Sequence, residues 1–154
     1  MSNQEPQVGY VLKQAQSLLR LRMEEALHPL ALTVSQYSCL HHLLREPGIS
    51  AAGLARATFM TRQSMNSMLQ QLLERGLVVR PARPESGRAL PTALTAAGVD
   101  LLSAAQAEVD GVEERMLSGF SPSELVSLSR GLNACVQALG DGTGIMRRGA
   151  APPR

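Results

Sequence analysis

Thr61-Arg62-Gln63-Ser64-Met65-Asn66-Ser67-Met68-Leu69-Gln70-Gln71-Leu72-Leu73-Glu74-Arg75-Gly76-Leu77-Val78-Val79 carries two opposed messages on one helix. Met65, Met68, Leu69, Leu72 and Leu73 recur at steps of three and four, an apolar stripe that must face a core. At about 100° per residue the opposite face is then set: Gln63, Ser67 and Gln70 project outward, Ser64, Asn66 and Gln71 flank them, and Arg62 stands near the start. Thr61 offers the hydroxyl that caps a helix N-terminus. Gly76 falls where a left-handed residue ends one, and Leu77-Val78-Val79 continues as a short strand. The result is a helix that buries Met and Leu and presents neutral hydrogen-bonding groups.

Working outward on the N-terminal side, Ser50 caps a short helix carrying Leu54 and Ala55, and Thr58 to Met60 break the chain before Thr61. That is a helix, a tight turn and a helix. Thr33 and Gln36 form a capping box for a helix running through Leu44, closed by Pro47-Gly48. Val8, Val11, Leu12, Ala15, Leu18, Leu19 and Ala26 stripe a long first helix, Val8 to Leu27, with Pro29 just past its end. On the C-terminal side, Arg80 to Thr95 is rich in Pro, Gly and Arg. It reads as a wing with its tip at Pro84-Glu85-Ser86-Gly87, returning through Arg88-Ala89-Leu90. Thr95 caps a fifth helix, and Ser121-Pro122-Ser123-Glu124 opens a sixth that runs to Leu139 on Leu125, Leu128, Leu132 and Val136.

The expected fold is therefore mainly α with a small β-wing, in a single 154-residue chain. A winged helix-turn-helix lobe covers 33–94, helices in 8–32 and 95–139 form a dimerisation region, and the Gly-, Pro- and Arg-rich 140–154 reads as a disordered tail. With four aromatic residues and no Trp, the core must be built of Leu, Ala, Val and Met. No apolar run approaches the ~18 residues of a membrane span and no leader pattern opens the chain, so a cytoplasmic protein without membrane contact is expected. Cys39 and Cys135 are too distant for a local metal motif and read as free thiols packed in helices. Net charge is only +2, yet between Ser50 and Thr95 six arginines face two glutamates, a +4 block of the kind that meets a polyanion.

The order of elements, with several local residues, resembles the MarR family of winged-helix regulators. The residues are Leu32-Thr33 and Gln36, Leu54-Ala55, Leu72-Leu73-Glu74-Arg75-Gly76-Leu77-Val78, and Arg88 followed by Leu94-Thr95-Ala96-Ala97-Gly98. The resemblance implies a transcriptional repressor acting as a homodimer on an inverted-repeat operator of double-stranded DNA, released by a small aromatic or phenolic ligand. It also implies that the first, fifth and sixth helices knit the dimer, which gives Leu12, Leu19, Leu128 and Leu132 an interface role. Three positions depart from the family pattern. Ser86 stands where an Asp usually pairs with the residue matching Arg88, Gly53 replaces an acidic residue, and Ser67 replaces a basic one. Pro81, Pro84 and Pro91 further restrict backbone pairing in the wing.

Gln and Asn can bond bidentately to adenine in the major groove, which makes Gln63 and Asn66 candidates for direct readout, with Thr61, Ser64, Ser67 and Gln70 beside them. Arg62, Arg80 and Arg83 read as phosphate contacts and Arg88, by the resemblance, as a minor-groove wing arginine. Tyr37 and His41 are four apart on one helix face that, by the resemblance, borders a cavity for small aromatic anions. The alternative for this pair is local hydrogen bonding in a half-buried setting. His41 and His42 point apart and lack thiolate or carboxylate partners at ligand spacing, so no metal site is read, and no cofactor. No nucleophile-base pair or nucleotide loop suggests an enzyme. The competing function is a winged-helix module that binds protein rather than DNA.

Overall fold

The computed structural model describes residues 7–80 and 92–140. After the first, each α-helix starts on a side chain that satisfies orphan amides. α1 spans Val8–Leu27 and passes into a 3-10 turn, His28–Leu30. α2, Val34–Arg45, starts on the expected capping box: Gln36 N–H donates to the Thr33 hydroxyl at 3.0 Å, and Thr33 N–H donates to Gln36 Oε1 at 3.1 Å. α3, Ala51–Ala57, is capped by Ser50, and α4, Arg62–Glu74, by Thr61, whose hydroxyl accepts from Ser64 N–H at 3.1 Å. β1, Val78–Val79, follows directly and pairs antiparallel with β2, Ala93–Leu94, in the register Val78↔Leu94 and Val79↔Ala93. α5 spans Ala96–Leu117 and α6 Pro122–Gly140, the latter on the Ser121/Glu124 box.

The structure bears on the wing only at its base, and it moves one helix boundary. The expected return arm, Arg88-Ala89-Leu90, lies outside the described residues, and the pairing strand that is described, Ala93–Leu94, sits just before Thr95. A two-residue strand has no alternation to reveal it. Gly140 closes α6 rather than opening a tail, and 141–154 lie outside the described residues.

α1 through α5 belong to one compact unit reaching Met116, and α6 to a second that begins at Leu117. In the first unit α1 packs on α2, α2 on α3 and β2, α3 on α4, and α4 on β1. The core lies in this lobe, with Leu27, Leu40, Leu54, Met65, Leu69 and Leu72 fully buried and Leu102 and Ala105 of α5 completing it. Leu73, on the edge of the α4 stripe, is only half-buried. α6 buries none of its residues, and Val126, Leu128, Leu132, Val136 and Leu139 all stand exposed.

Three helix ends share one closing device. Leu32 N–H reaches Leu27 O at 3.3 Å, Met60 N–H reaches Ala55 O at 2.9 Å and Leu77 N–H reaches Leu72 O at 3.0 Å, each across a left-handed residue. These are the six-to-one bonds of a Schellman end. Gly76, at φ +70°, occupies the left-handed place without cost, whereas Ala31 at +52° and Phe59 at +56° each carry about 1–3 kcal/mol of backbone strain.

The tightest approach in the lobe joins α5 to the base of the wing. A Cβ on Gly98 would stand 2.0 Å from the Leu77 carbonyl oxygen, a distance no side chain tolerates and no rotamer relieves. Thr95 locks the same corner: its hydroxyl donates to Gly76 O at 2.6 Å and accepts from Gly98 N–H at 3.1 Å, while its own N–H donates to Leu77 O at 3.1 Å. Gly98→Ala should therefore cost about 1–3 kcal/mol or more by overpacking, seen as a lower urea midpoint at unchanged slope. An unchanged midpoint would mean that α5 can move off β1 freely.

Candidate nucleic-acid interface

α4 owes its orientation to what it buries. Met65, Met68, Leu69 and Leu72 sit in the core against α3, and this leaves Arg62, Gln63, Ser64, Asn66, Ser67 and Gln70 exposed along one face, as their spacing requires. The Thr61 hydroxyl also donates to Ser64 Oγ at 2.9 Å, so these two serve the cap and each other. Gln70 Nε2 stands 3.4 Å from Glu74 Oε1, a long bond that a better acceptor can replace. Gln63, Asn66 and Ser67 have no such tie among the hydrogen bonds described, and the face carries no acidic group before Glu74. The positive end of the helix dipole adds to Arg62 at the N-terminus. Chemically this is a protruding rail of neutral donors and acceptors with a cationic end, suited to base edges flanked by phosphates.

The structure divides the six arginines of the basic block more finely than a charge count does. Arg56 and Arg62 are exposed around the turn between α3 and α4. Arg75, which the sequence reading left without a role, donates from Nη1 to Ala31 O at 2.7 Å and ties the end of α4 to the turn after α1. Arg80, read as a phosphate contact, places Nε 3.1 Å from the hydroxyl of buried Thr92 and so braces the base of the wing. Arg83 and Arg88, with Ser86, Pro81, Pro84 and Pro91, lie outside the described residues.

Gly53, one of the three departures, is crowded. A Cβ there would meet Ile49 Cγ1 at 2.9 Å and Ser50 Oγ at 3.2 Å, and its N–H is the one that Ser50 caps. The small residue is thus explained by the packing of the α3 entry.

Tyr37 and His41 do share a face, with ring centroids 5.8 Å apart. Their partner comes from α5: the Tyr37 hydroxyl donates to Gln106 Oε1 at 2.7 Å, and Gln106 Nε2 donates to Asp110 Oδ1 at 2.7 Å. No local sequence signal joins residues 37 and 106. Burial raises the Tyr37 phenol above its ordinary range, with the charge of Asp110 adding to it, and burial lowers His41, helped by Arg45 and His42. At neutral pH the pair is a phenol and an uncharged imidazole. His42 Nδ1 donates to Ser38 O at 2.8 Å, and among the described residues no group of three His, Cys, Asp or Glu stands together as metal ligands.

An open groove of about 750 Å³ lies elsewhere, between α1 and α5, with Ala15, Leu18, Leu19, Val112 and Met116 on its apolar walls. Arg22 and Glu25, an ion pair at 2.8 Å, stand on its rim. Leu19 turns toward this groove and Leu12 is exposed nearer the N-terminus. Cys39 is fully buried against Met65, Sγ to Sδ 3.9 Å, and burial pushes its thiol up to about 11, so it is a packing residue and a poor thiolate. Cys135 is half-buried on α6.

Residues 32–89 match the model of the MarR family. Over 111 residues, 72% of this chain and 80% of the relative, the sequence is 42% identical to the HTH-type transcriptional repressor Rv2887 of Mycobacterium tuberculosis strain H37Rv. The chain belongs to the MarR family. Solved structures of the Mycobacterium tuberculosis MarR family protein Rv2887 superpose on it. The complex with DNA has a TM-score of 0.72 at 34% identity, covering 85% of this MarR protein and 98% of the other chain. The complex with salicylic acid has a TM-score of 0.71 at 37% identity, covering 88% and 99%. The winged helix-turn-helix architecture and its role in transcriptional regulation are thus those of the family.

Proposed function

We propose that this protein is a repressor that binds an inverted-repeat operator as a homodimer, reads bases with α4, and is released by a small aromatic acid. The observation that carries the reading is the exposed face of α4, where Gln63, Asn66 and Ser67 project neutral hydrogen-bonding groups beside Arg62 while the opposite stripe is locked in the core. The relative crystallised with DNA supports the partner, and the one crystallised with salicylic acid supports the class of effector. A duplex-DNA partner supports a cytoplasmic site of action; separately, among the described residues no helix is long and apolar enough to cross a membrane.

Dimerisation is proposed from α6, a helix of 19 residues that buries nothing of its own while exposing Leu128 and Leu132 on one stripe. A second copy would cover that stripe and the apolar face of α1 that carries Leu12. The residues 8–32 and 95–139 then form the dimer region and 33–94 the DNA-binding lobe. In this arrangement Tyr37, His41 and Gln106 bridge α2 of the lobe to α5 of the dimer region, which is the junction an effector must disturb.

Binding to a duplex selected from random sequence, measured across a salt series, tests the core of this reading. Arg62→Ala or Arg88→Ala should weaken binding to most sequences and lower the salt slope by about one per lost phosphate contact. Gln63→Ala or Asn66→Ala should keep the slope and relax discrimination at one symmetric base pair by about 1–3 kcal/mol. A protein that binds no duplex, or whose binding ignores salt, would instead favour a protein-binding module. Leu132 is 40% exposed in the single chain, so Leu132→Asp should leave the fold intact. It should yield a monomer by sedimentation, and a dimer of normal affinity would move the interface elsewhere. With salicylate as probe, Tyr37→Phe combined with His41→Ala should raise the concentration that releases DNA by about 5-fold or more, the lower end of ordinary allosteric coupling, at nearly unchanged DNA affinity. An unaltered release curve would place the effector away from this junction.

A further inference from the structure

Phe59 occupies the one backbone position of the helix-turn-helix that a bulky residue should avoid. It is the residue after the α3 cap, at φ +56°, where Phe59 N–H donates to Arg56 O at 3.3 Å and Met60 N–H to Ala55 O at 2.9 Å. This paired arrangement selects glycine. The chain uses glycine at the matching place after α4, where Gly76 N–H donates to Leu73 O at 3.0 Å. For a bulky side chain a positive φ is a genuine outlier.

The free protein gains nothing visible in return, because the ring is 81% exposed whereas Tyr37 is 7% exposed. An aromatic ring that strains the backbone and then stands in water is unfavourable twice over. Strain of this kind persists only where the surrounding structure imposes it, and it clusters at functional sites. The position points to the function here. Phe59 lies two residues before Thr61, the cap of α4, between exposed Arg56 and Arg62, and no acidic residue occurs from Ile49 to Leu73. The ring therefore stands on the cationic rim at the leading end of the helix that carries Gln63 and Asn66. In the major groove the apolar feature available to such a ring is the 5-methyl group of thymine.

We propose that Phe59 contacts DNA directly, reading the methyl group of a thymine at the edge of the half-site engaged by the first turn of α4. The inference rests on the DNA-binding function proposed above and adds a specificity-determining residue to it. It differs from the polar readout by Gln63 and Asn66 in kind, since it discriminates by apolar contact and carries no charge.

The test uses the full-length protein and a duplex it selects from random sequence, with each thymine replaced singly by deoxyuridine, which removes only the methyl group. At one symmetry-related thymine the wild type should lose about four-fold in affinity per half-site, the worth of one buried methyl. Phe59→Gly should abolish that loss at that position alone, leave the penalties at other bases and the salt slope intact, and bind the unmodified duplex correspondingly more weakly. Its melting temperature should rise by a few degrees as the left-handed residue is relieved. Phe59→Leu should keep part of the methyl dependence. A Phe59→Gly profile identical to that of the wild type would overturn the inference while leaving DNA binding in place. A lower melting temperature would also overturn it, because the ring would then be packing within the fold. If the wild type itself binds no duplex in a salt-dependent manner, the underlying function fails and this inference with it.

Discussion

The Leu77 carbonyl is the point on which the lobe turns. It accepts the N–H of Thr95 at 3.1 Å, and the absent Cβ of Gly98 lets α5 lie against it. Because the Thr95 hydroxyl simultaneously holds Gly76 O and Gly98 N–H, the end of α4, the start of β1 and the first turn of α5 meet through backbone atoms with almost no side chain between them. Backbone packed on backbone has no rotamers through which to yield. A change in the direction of α5 must therefore move the end of α4, and the exposed face of α4 moves with it. Under the function proposed above, that rigid corner would couple the helical region to the DNA-reading helix.

Farther along α5 the join is of a different kind. Tyr37, Gln106 and Asp110 form a side-chain relay from α2 to α5, with His41 beside it as an uncharged ring. Side-chain bonds at a half-buried junction are each worth about 1 kcal/mol, and they can be exchanged for bonds to a bound molecule. One joint is thus stiff and the other adjustable, an arrangement suited to the ligand-released repressor proposed above. Arg75, bonded to Ala31 O, adds a third tie between the end of α4 and the turn after α1.

The distribution of apolar surface sets the core of the lobe apart from α6. Leu40, Leu54, Met65, Leu69 and Leu72 are sealed, and no buried side-chain nitrogen or oxygen among the described residues lacks a partner. α6 has amphipathic spacing as regular as that of α4, yet it buries none of its residues. An exposed stripe of this kind marks an interaction surface, and self-association, as proposed above, would cover it.

How much was legible in the sequence follows from the range of each interaction. Caps act across three residues, so Thr33 with Gln36, Ser50, Thr61 and Ser121 with Glu124 announced their helices, and the period of Met65 to Leu72 told the buried face of α4 from the exposed one. The left-handed role of Gly76 was equally local. The same positive φ at Phe59 and Ala31 was invisible because nothing in those residue types calls for it; the path of the chain between packed helices imposes it. Charge counting placed six arginines in one block, but only the fold assigns Arg75 to Ala31 and Arg80 to Thr92, pairs that lie 44 and 12 residues apart. Tyr37 and Gln106 are 69 apart, and the clearance at Gly98 concerns a carbonyl 21 positions earlier in the chain. Residue chemistry within one or two turns of helix determined which elements form and which face each presents. Packing between elements decided which polar groups those faces keep for the fold and which they leave for a partner, because that depends on distances that no local pattern encodes.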